Sequence, residues 1–196
     1  RRRAGALMKI LALDLSSKRV GWCLGDSLAE RIRLSAWMVR REGQSFFTGT
    51  GNLGCYLRDL LSLEKPDLIA VEDYTKPEGQ PSGEAAEAAI LARGALQALA
   101  FCYGITPVRA VAVAEARKAF CGKSTAHPPP KRGEYRSART KKQYTYDTKK
   151  MIWDHGVALG LIPEDLPQDF DKSDALAVWS WAACKFGDRP PPFLLK

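Results

Sequence analysis

The chain has 196 residues, 45% of them hydrophobic and 27% charged, which suits one globular domain with a buried core and room for an insertion. Thirty Lys/Arg against 22 Asp/Glu leave a formal net charge of +8, a balance that suits a polyanionic partner. No apolar run approaches the roughly 18 residues of a membrane helix, and two histidines with five cysteines but no Cys-x-x-Cys pair exclude a His-rich metal centre and argue for reduced, buried thiols in an intracellular, cytoplasmic protein.

Residues 1–7, Arg1-Arg2-Arg3-Ala4-Gly5-Ala6-Leu7, precede Met8 and read as a leader; without Arg1, Arg2 and Arg3 the charge is still +5. The short apolar stretch that follows carries an aspartate, unlike a secretory signal. Residues 9–14 (Lys9-Ile10-Leu11-Ala12-Leu13-Asp14) predict a buried strand ending in a carboxylate. After a turn, residues 20–24 predict the returning strand of a hairpin, and residues 31–40 a third strand. Leu53, Tyr56, Leu57, Leu60 and Leu61 lie at helical spacing, and Pro66 closes that helix, expected over 52–63. Residues 67–72 (Asp67-Leu68-Ile69-Ala70-Val71-Glu72) form a second apolar run ending in a carboxylate.

A Pro/Gly-rich loop over 75–83 leads to an Ala-rich helix over 84–102, a strand over 106–112 and a short helix over 114–120. Residues 123–146 change character: Pro128-Pro129-Pro130 stands among many basic and aromatic residues, and the segment reads as a basic insertion that orders on binding. Helical spacing returns over 148–161, a Pro-containing acidic linker covers 162–170, and a last helix runs over 171–186. Residues 8–187 thus form a single domain, with a Pro-rich tail over 188–196. A three-strand meander followed by strands alternating with helices argues an α/β fold: a mixed five-stranded sheet covered by helices.

Four acids stand out by position. Asp14 and Glu72 close strands, where open sheets build their sites, and Asp171 and Asp174 are three apart on one helix face. If the two strands are parallel neighbours, their carboxylates lie side by side, and a divalent cation relieves the repulsion. Oxygen-only ligands favour Mg²⁺, with Mn²⁺ as a substitute, and two such ions can activate water and stabilise a leaving oxygen in phosphodiester hydrolysis. Each acid also has a plain reading: Asp14 as a turn start, Glu72 as a loop entry, Asp171 as an N-cap with Asp174 favourable to the helix dipole. The four together are far more specific than any one.

The run Ile10-Leu11-Ala12-Leu13-Asp14-Leu15-Ser16-Ser17-Lys18-Arg19-Val20-Gly21-Trp22 resembles the opening of the RuvC-type Holliday junction resolvases, nucleases of RNase H-like fold. Leu68-Ile69-Ala70-Val71-Glu72 is similar to the family's second acidic strand, and Asp171-Lys172-Ser173-Asp174-Ala175-Leu176-Ala177-Val178 to its closing helix. Ala119-Phe120-Cys121-Gly122-Lys123-Ser124-Thr125-Ala126 looks like its small-residue turn before a lysine-bearing helix. The resemblance implies a homodimeric, Mg²⁺-dependent endonuclease that nicks four-way DNA junctions symmetrically. Asp14, Glu72, Asp171 and Asp174 would be the metal ligands. Lys149, with Lys150 as the alternative, would be the family's assisting lysine, stabilising the pentavalent phosphate.

The chain departs from the pattern in three places. Asp14-Leu15-Ser16 replaces Asp-Pro-Gly, Tyr74 is the nearest candidate for the family's base-wedging aromatic but at another spacing, and residues 127–146 are extra. These mark a divergent, phage-like member with its own substrate preference.

Eleven Lys/Arg fall between Arg117 and Lys150, against Glu134 and Asp147 only, with Tyr135, Tyr144 and Tyr146 interleaved. Phosphate neutralisation with stacking aromatics suits DNA, so Lys123, Lys131, Arg132, Arg136, Arg139, Lys141, Lys142 and Lys150 are candidate contacts, joined by Tyr74 and Lys76 after the second acidic strand. The alternative is a solvated loop. The small residues of the helix over 84–102 permit close helix approach, and the resemblance implies a dimer interface there. Three rivals remain in view: an ATP-using enzyme of the actin and sugar-kinase type, for which the chain is too short; a junction-binding protein without cleavage; and an RNase H-like nuclease acting on another branched or hybrid substrate.

Overall fold

A computed structural model describes residues 7–16, 18–29, 32–73, 84–105, 108–127, 138–187 and 189. Lys9–Leu15 (β1), Arg19–Asp26 (β2), Arg33–Met38 (β3), Leu68–Asp73 (β4) and Arg109–Ala112 (β5) form one sheet in the order β3-β2-β1-β4-β5. The β1–β2 and β2–β3 pairs are antiparallel, while β1–β4 and β4–β5 are parallel. The mixed, helix-flanked sheet read from the sequence is the observed one. The first hairpin is tied by Ser16, whose Oγ donates to the Arg19 carbonyl at 2.6 Å and accepts from the Arg19 amide at 3.1 Å.

Among the described residues five helices cover the sheet: α1 (Phe46–Glu64), α2 (Glu84–Cys102), α3 (Val113–Cys121), α4 (Ala138–Ala158) and α5 (Phe170–Phe186). Side chains alternate across each strand. Leu11, Leu13, Ile69 and Val71 pack with Leu57 and Leu61 of α1 and Leu96 of α2. Ile10, Ala12, Leu68 and Ala70 face the other way, against Phe120 of α3, Ile152 of α4 and Leu176 and Trp179 of α5. Every residue from Ser173 to Ala183 is buried, so α5 is a central helix, apolar on nearly all sides, of the kind that only a core accommodates.

Several boundaries differ from expectation, the starts of α1 and α4 most of all. Helix α1 starts at Phe46, six residues before the periodic pattern, because Ser45 caps it by accepting from the Thr48 amide at 3.2 Å. Gly49 and Gly51 conceal that first turn from a propensity reading. Helix α4 starts at Ala138, so residues 138–146 of the expected insertion loop are helical. That register is supported by bonds one turn apart, Gln143 Nε2 to Asp147 Oδ1 at 2.7 Å and Thr148 Oγ1 to the Tyr144 carbonyl at 2.9 Å. Strand β5 is described from Arg109, and residues 106–107 lie outside the described part. Among the described residues no helix is long and apolar enough to cross a membrane.

Candidate active site

Strand parity decides which face each acid meets. Asp14 and Glu72 share the parity of Ile10, Ala12, Leu68 and Ala70, so both turn toward the α5 side of the sheet. The parallel register pairs Leu13 with Val71, and the next step sets Asp14 beside Glu72. Asp73 has the opposite parity and is spent on an ion pair with Arg93 of α2.

Helix α5 brings the other two acids. Its N-cap is Asp169, whose Oδ1 accepts from the Asp171 amide at 3.2 Å; the capping role considered for Asp171 therefore belongs to its neighbour two residues earlier. The first turn of α5 lies directly on β2. Gly21, the cross-strand partner of Asp14, has the Asp171 carbonyl oxygen where a side chain would begin, 2.0 Å from an ideal Cβ. Only glycine permits that approach.

Asp174 is 3% exposed and holds two cations. Arg117 Nη2 of α3 donates to Oδ1 at 3.0 Å, and Lys149 Nζ of α4 lies 2.7 Å from Oδ2. Burial pushes the Asp14 carboxyl well above its usual range, and the charges of Glu72, Asp174 and Asp171 add to the shift while Lys149 opposes it. Burial, then the Asp174 charge, pushes Glu72 up to about 7 against the pull of Arg117 and Lys149. For Lys149, burial works to lower the ammonium, but Asp174, Asp14 and Asp171 outweigh it and hold it above the usual lysine value. Four acids and two cations thus act on one another's charge where β1, β4 and the start of α5 meet.

Among the described residues, no three His, Cys, Asp or Glu side chains stand close enough together to enclose an ion as they are placed. The donor chemistry nevertheless fits a hard divalent cation. All four acids offer oxygen only, and two of them resist ionisation in its absence.

Lys149 reaches the acids, whereas Lys150 points outward to Asp154 at 2.6 Å, one helical turn away. Lys123 lines a shallow groove with Lys118, Ser124, Thr125 and His127, beyond the C-terminal end of α3. Tyr74, Lys76, Lys131, Arg132 and Arg136 lie outside the described residues, and Arg139, Lys141 and Lys142 are described in backbone only, as part of α4. Arg117, Arg19 and Asp169 were not singled out by sequence. Arg117 adjoins Ala116 of the apolar stripe of α3, and its Nε is buried with no hydrogen-bond partner among the described atoms; nothing local distinguishes it from a surface arginine.

No family model and no curated protein matches the chain. Solved structures do. A Thermus thermophilus RuvC in complex with Holliday junction substrate superposes with a TM-score of 0.65 at 20% identity, covering 92% of this chain and 96% of that one. The fold is that of RuvC, an RNase H-like fold. A second T. thermophilus RuvC structure gives a TM-score of 0.59 at 18% identity, covering 90% and 93%. The yeast mitochondrial Holliday junction resolvase Ydc2 gives 0.57 at 13% identity, covering 89% and 77%. The RuvC fold therefore spans nearly the whole chain while little sequence is shared.

Proposed function

We propose that the chain is a divalent-metal-dependent endodeoxyribonuclease that resolves four-way DNA junctions. The observation that carries this reading is the convergence of Asp14 and Glu72, on neighbouring parallel strands, with Asp171 and Asp174 of α5, in a fold shared with a RuvC bound to a Holliday junction. Asp14, Glu72, Asp171 and Asp174 would hold two Mg²⁺ ions, or Mn²⁺ in their place. The bound ions would supply a water nucleophile at neutral pH and neutralise the leaving oxygen.

The chain's own residues do the rest. Lys149, held at Asp174 by an ion pair, keeps its proton and presents a fixed positive charge to the phosphate as negative charge builds on it. Arg117 spends one nitrogen on Asp174 and keeps that carboxylate charged and fixed beside Glu72. The strand ends and the buried first turns of α5 fix the backbone from which the acids project, so that closing on an ion needs side-chain rotation only. Lys123, Lys131, Arg132, Arg136, Arg139, Lys141, Lys142 and Lys150 would neutralise the backbone of the arms, and Tyr74 and Lys76 would meet DNA beside Glu72. In this reading the protein acts as a cytoplasmic homodimer. Ile90 and Leu91 on α2 are 66% and 46% exposed and Phe101 is 75% exposed, an apolar surface suited to a second copy. An I90E/F101E variant sedimenting with the same mass as the wild type would argue against that interface.

One observation favours a second reading, a junction-binding protein that does not cut: Asp174 already satisfies both oxygens with Arg117 and Lys149. A cleavage assay on a four-way junction with a mobile core, beside matched duplex and RNA–DNA hybrid, in Mg²⁺, Mn²⁺ or EDTA, separates these. Paired nicks on the junction alone, lost in EDTA, support the resolvase. Cleavage of the hybrid replaces the substrate, and tight binding without cleavage in any metal favours the binder.

A further inference from the structure

Arg19 lies at the start of β2, outside the four acids and their two cations. Its Nε is 3.2 Å from Asp171 Oδ2 and its Nη2 is 2.7 Å from Asp169 Oδ2. One planar guanidinium thus joins the residue that caps α5 to a candidate metal ligand two residues further on. The Arg19 backbone is itself anchored, because its amide and carbonyl are both tied to Ser16 Oγ in the hairpin turn that follows Asp14. Asp169 has its other oxygen on the Asp171 amide. The result is a closed set of contacts running from the Asp14 turn through Arg19 to the backbone and side chain of Asp171.

We infer that Arg19 is a positioning residue: it fixes Asp171 through Oδ2 and so leaves Oδ1 free for a cation that Asp14 and Glu72 would also hold. This inference rests on the metal-dependent reading above. Two physical effects oppose one another. As a bare positive charge, Arg19 would weaken binding of a cation nearby. As a fork that orients a ligand, it strengthens that binding, and outer-shell partners of ligating groups typically contribute 10–100-fold in metal affinity. A lysine cannot reproduce a two-pronged contact but keeps the charge, so R19K isolates the geometry.

The test is calorimetric titration of Mg²⁺ and Mn²⁺ into the full chain for wild type, R19K, R19Q and D169N, with thermal melts in EDTA to establish folding and cleavage measured across Mg²⁺ concentration. Asn caps a helix as well as Asp does, so D169N removes the Arg19 contact while retaining the cap. The expected result is a roughly tenfold weaker cation affinity in R19K, a smaller loss in D169N, and cleavage by R19K that recovers at high Mg²⁺. Affinity in R19K equal to or tighter than wild type overturns the positioning role and leaves the nuclease reading intact. A wild-type protein that binds no divalent cation overturns the metal-dependent reading itself, and the inference with it.

Discussion

Replacing Gly21 by alanine puts a methyl group 2.0 Å from the Asp171 carbonyl oxygen and 2.5 Å from its carbonyl carbon. Both are backbone atoms of a buried helix, so no side chain can rotate aside. Either α5 lifts from the sheet or β2 buckles, and overpacking of this kind costs about 1–3 kcal/mol. Gly21 is not among the glycines with positive φ, so alanine also restricts the unfolded chain, a gain of about 0.4–1 kcal/mol. The clash is the larger effect. The expected net loss is about 1–2 kcal/mol, or roughly 2–8 °C in Tm for a chain of this size. Guanidinium denaturation followed by the fluorescence of the five tryptophans measures it. Because the displaced atoms belong to Asp171, cleavage by the folded variant should fall further than stability does, on the order of 10²-fold for a shift near 1 Å. A G21A protein at least as stable as wild type, with full cleavage, would refute the close approach of α5 to β2 on which the site depends.

Asp14 and Glu72 are both held above their unfolded values, so the metal-free folded state binds more protons than the unfolded chain. Its stability should be fully present below about 3.8 and be lost as pH rises through about 7, the folded value for Glu72, by on the order of 3 kcal/mol. Melts in EDTA across that range should show the decline, and D14N or E72Q should flatten it while abolishing cleavage; a flat wild-type profile would contradict the crowding of the acids. K149M should reduce the maximum cleavage rate about 10²-fold with junction affinity retained, and an unchanged rate would remove Lys149 from the chemistry. Neutralising Lys131, Arg132, Lys141 and Lys142 together should lower the slope of log affinity against log salt by up to about 3–4, if each meets a phosphate; an identical slope would make that segment a bystander.

Much of the fold is legible in the sequence because it is written in local patterns. Apolar runs ending in Asp14 and Glu72, the hairpin between them and the third strand, and the helical spacing before Pro66 each follow from periodicity and breakers within a few residues. The start of α4 was hidden because basic and aromatic composition masks helical register, and the start of α1 because two glycines obscure a turn that a single serine cap secures. The four acids were identifiable as strand-end and helix-start carboxylates, since position within an element is a one-dimensional property.

What only the tertiary structure decided is who meets them. That β1 and β4 are parallel neighbours, and that Asp14 and Glu72 turn to the same face while Asp73 turns away, depends on strand order and register. Arg117 and Lys149 close on Asp174 from two different helices, and Arg19 reaches Asp171 from 150 or so residues away along the chain. Such partners leave no local trace, because an arginine that ends beside a buried carboxylate has the same sequence neighbours as one that ends in water. Only the packing of α5 onto β2, permitted by the missing side chain of Gly21, brings them to a common point.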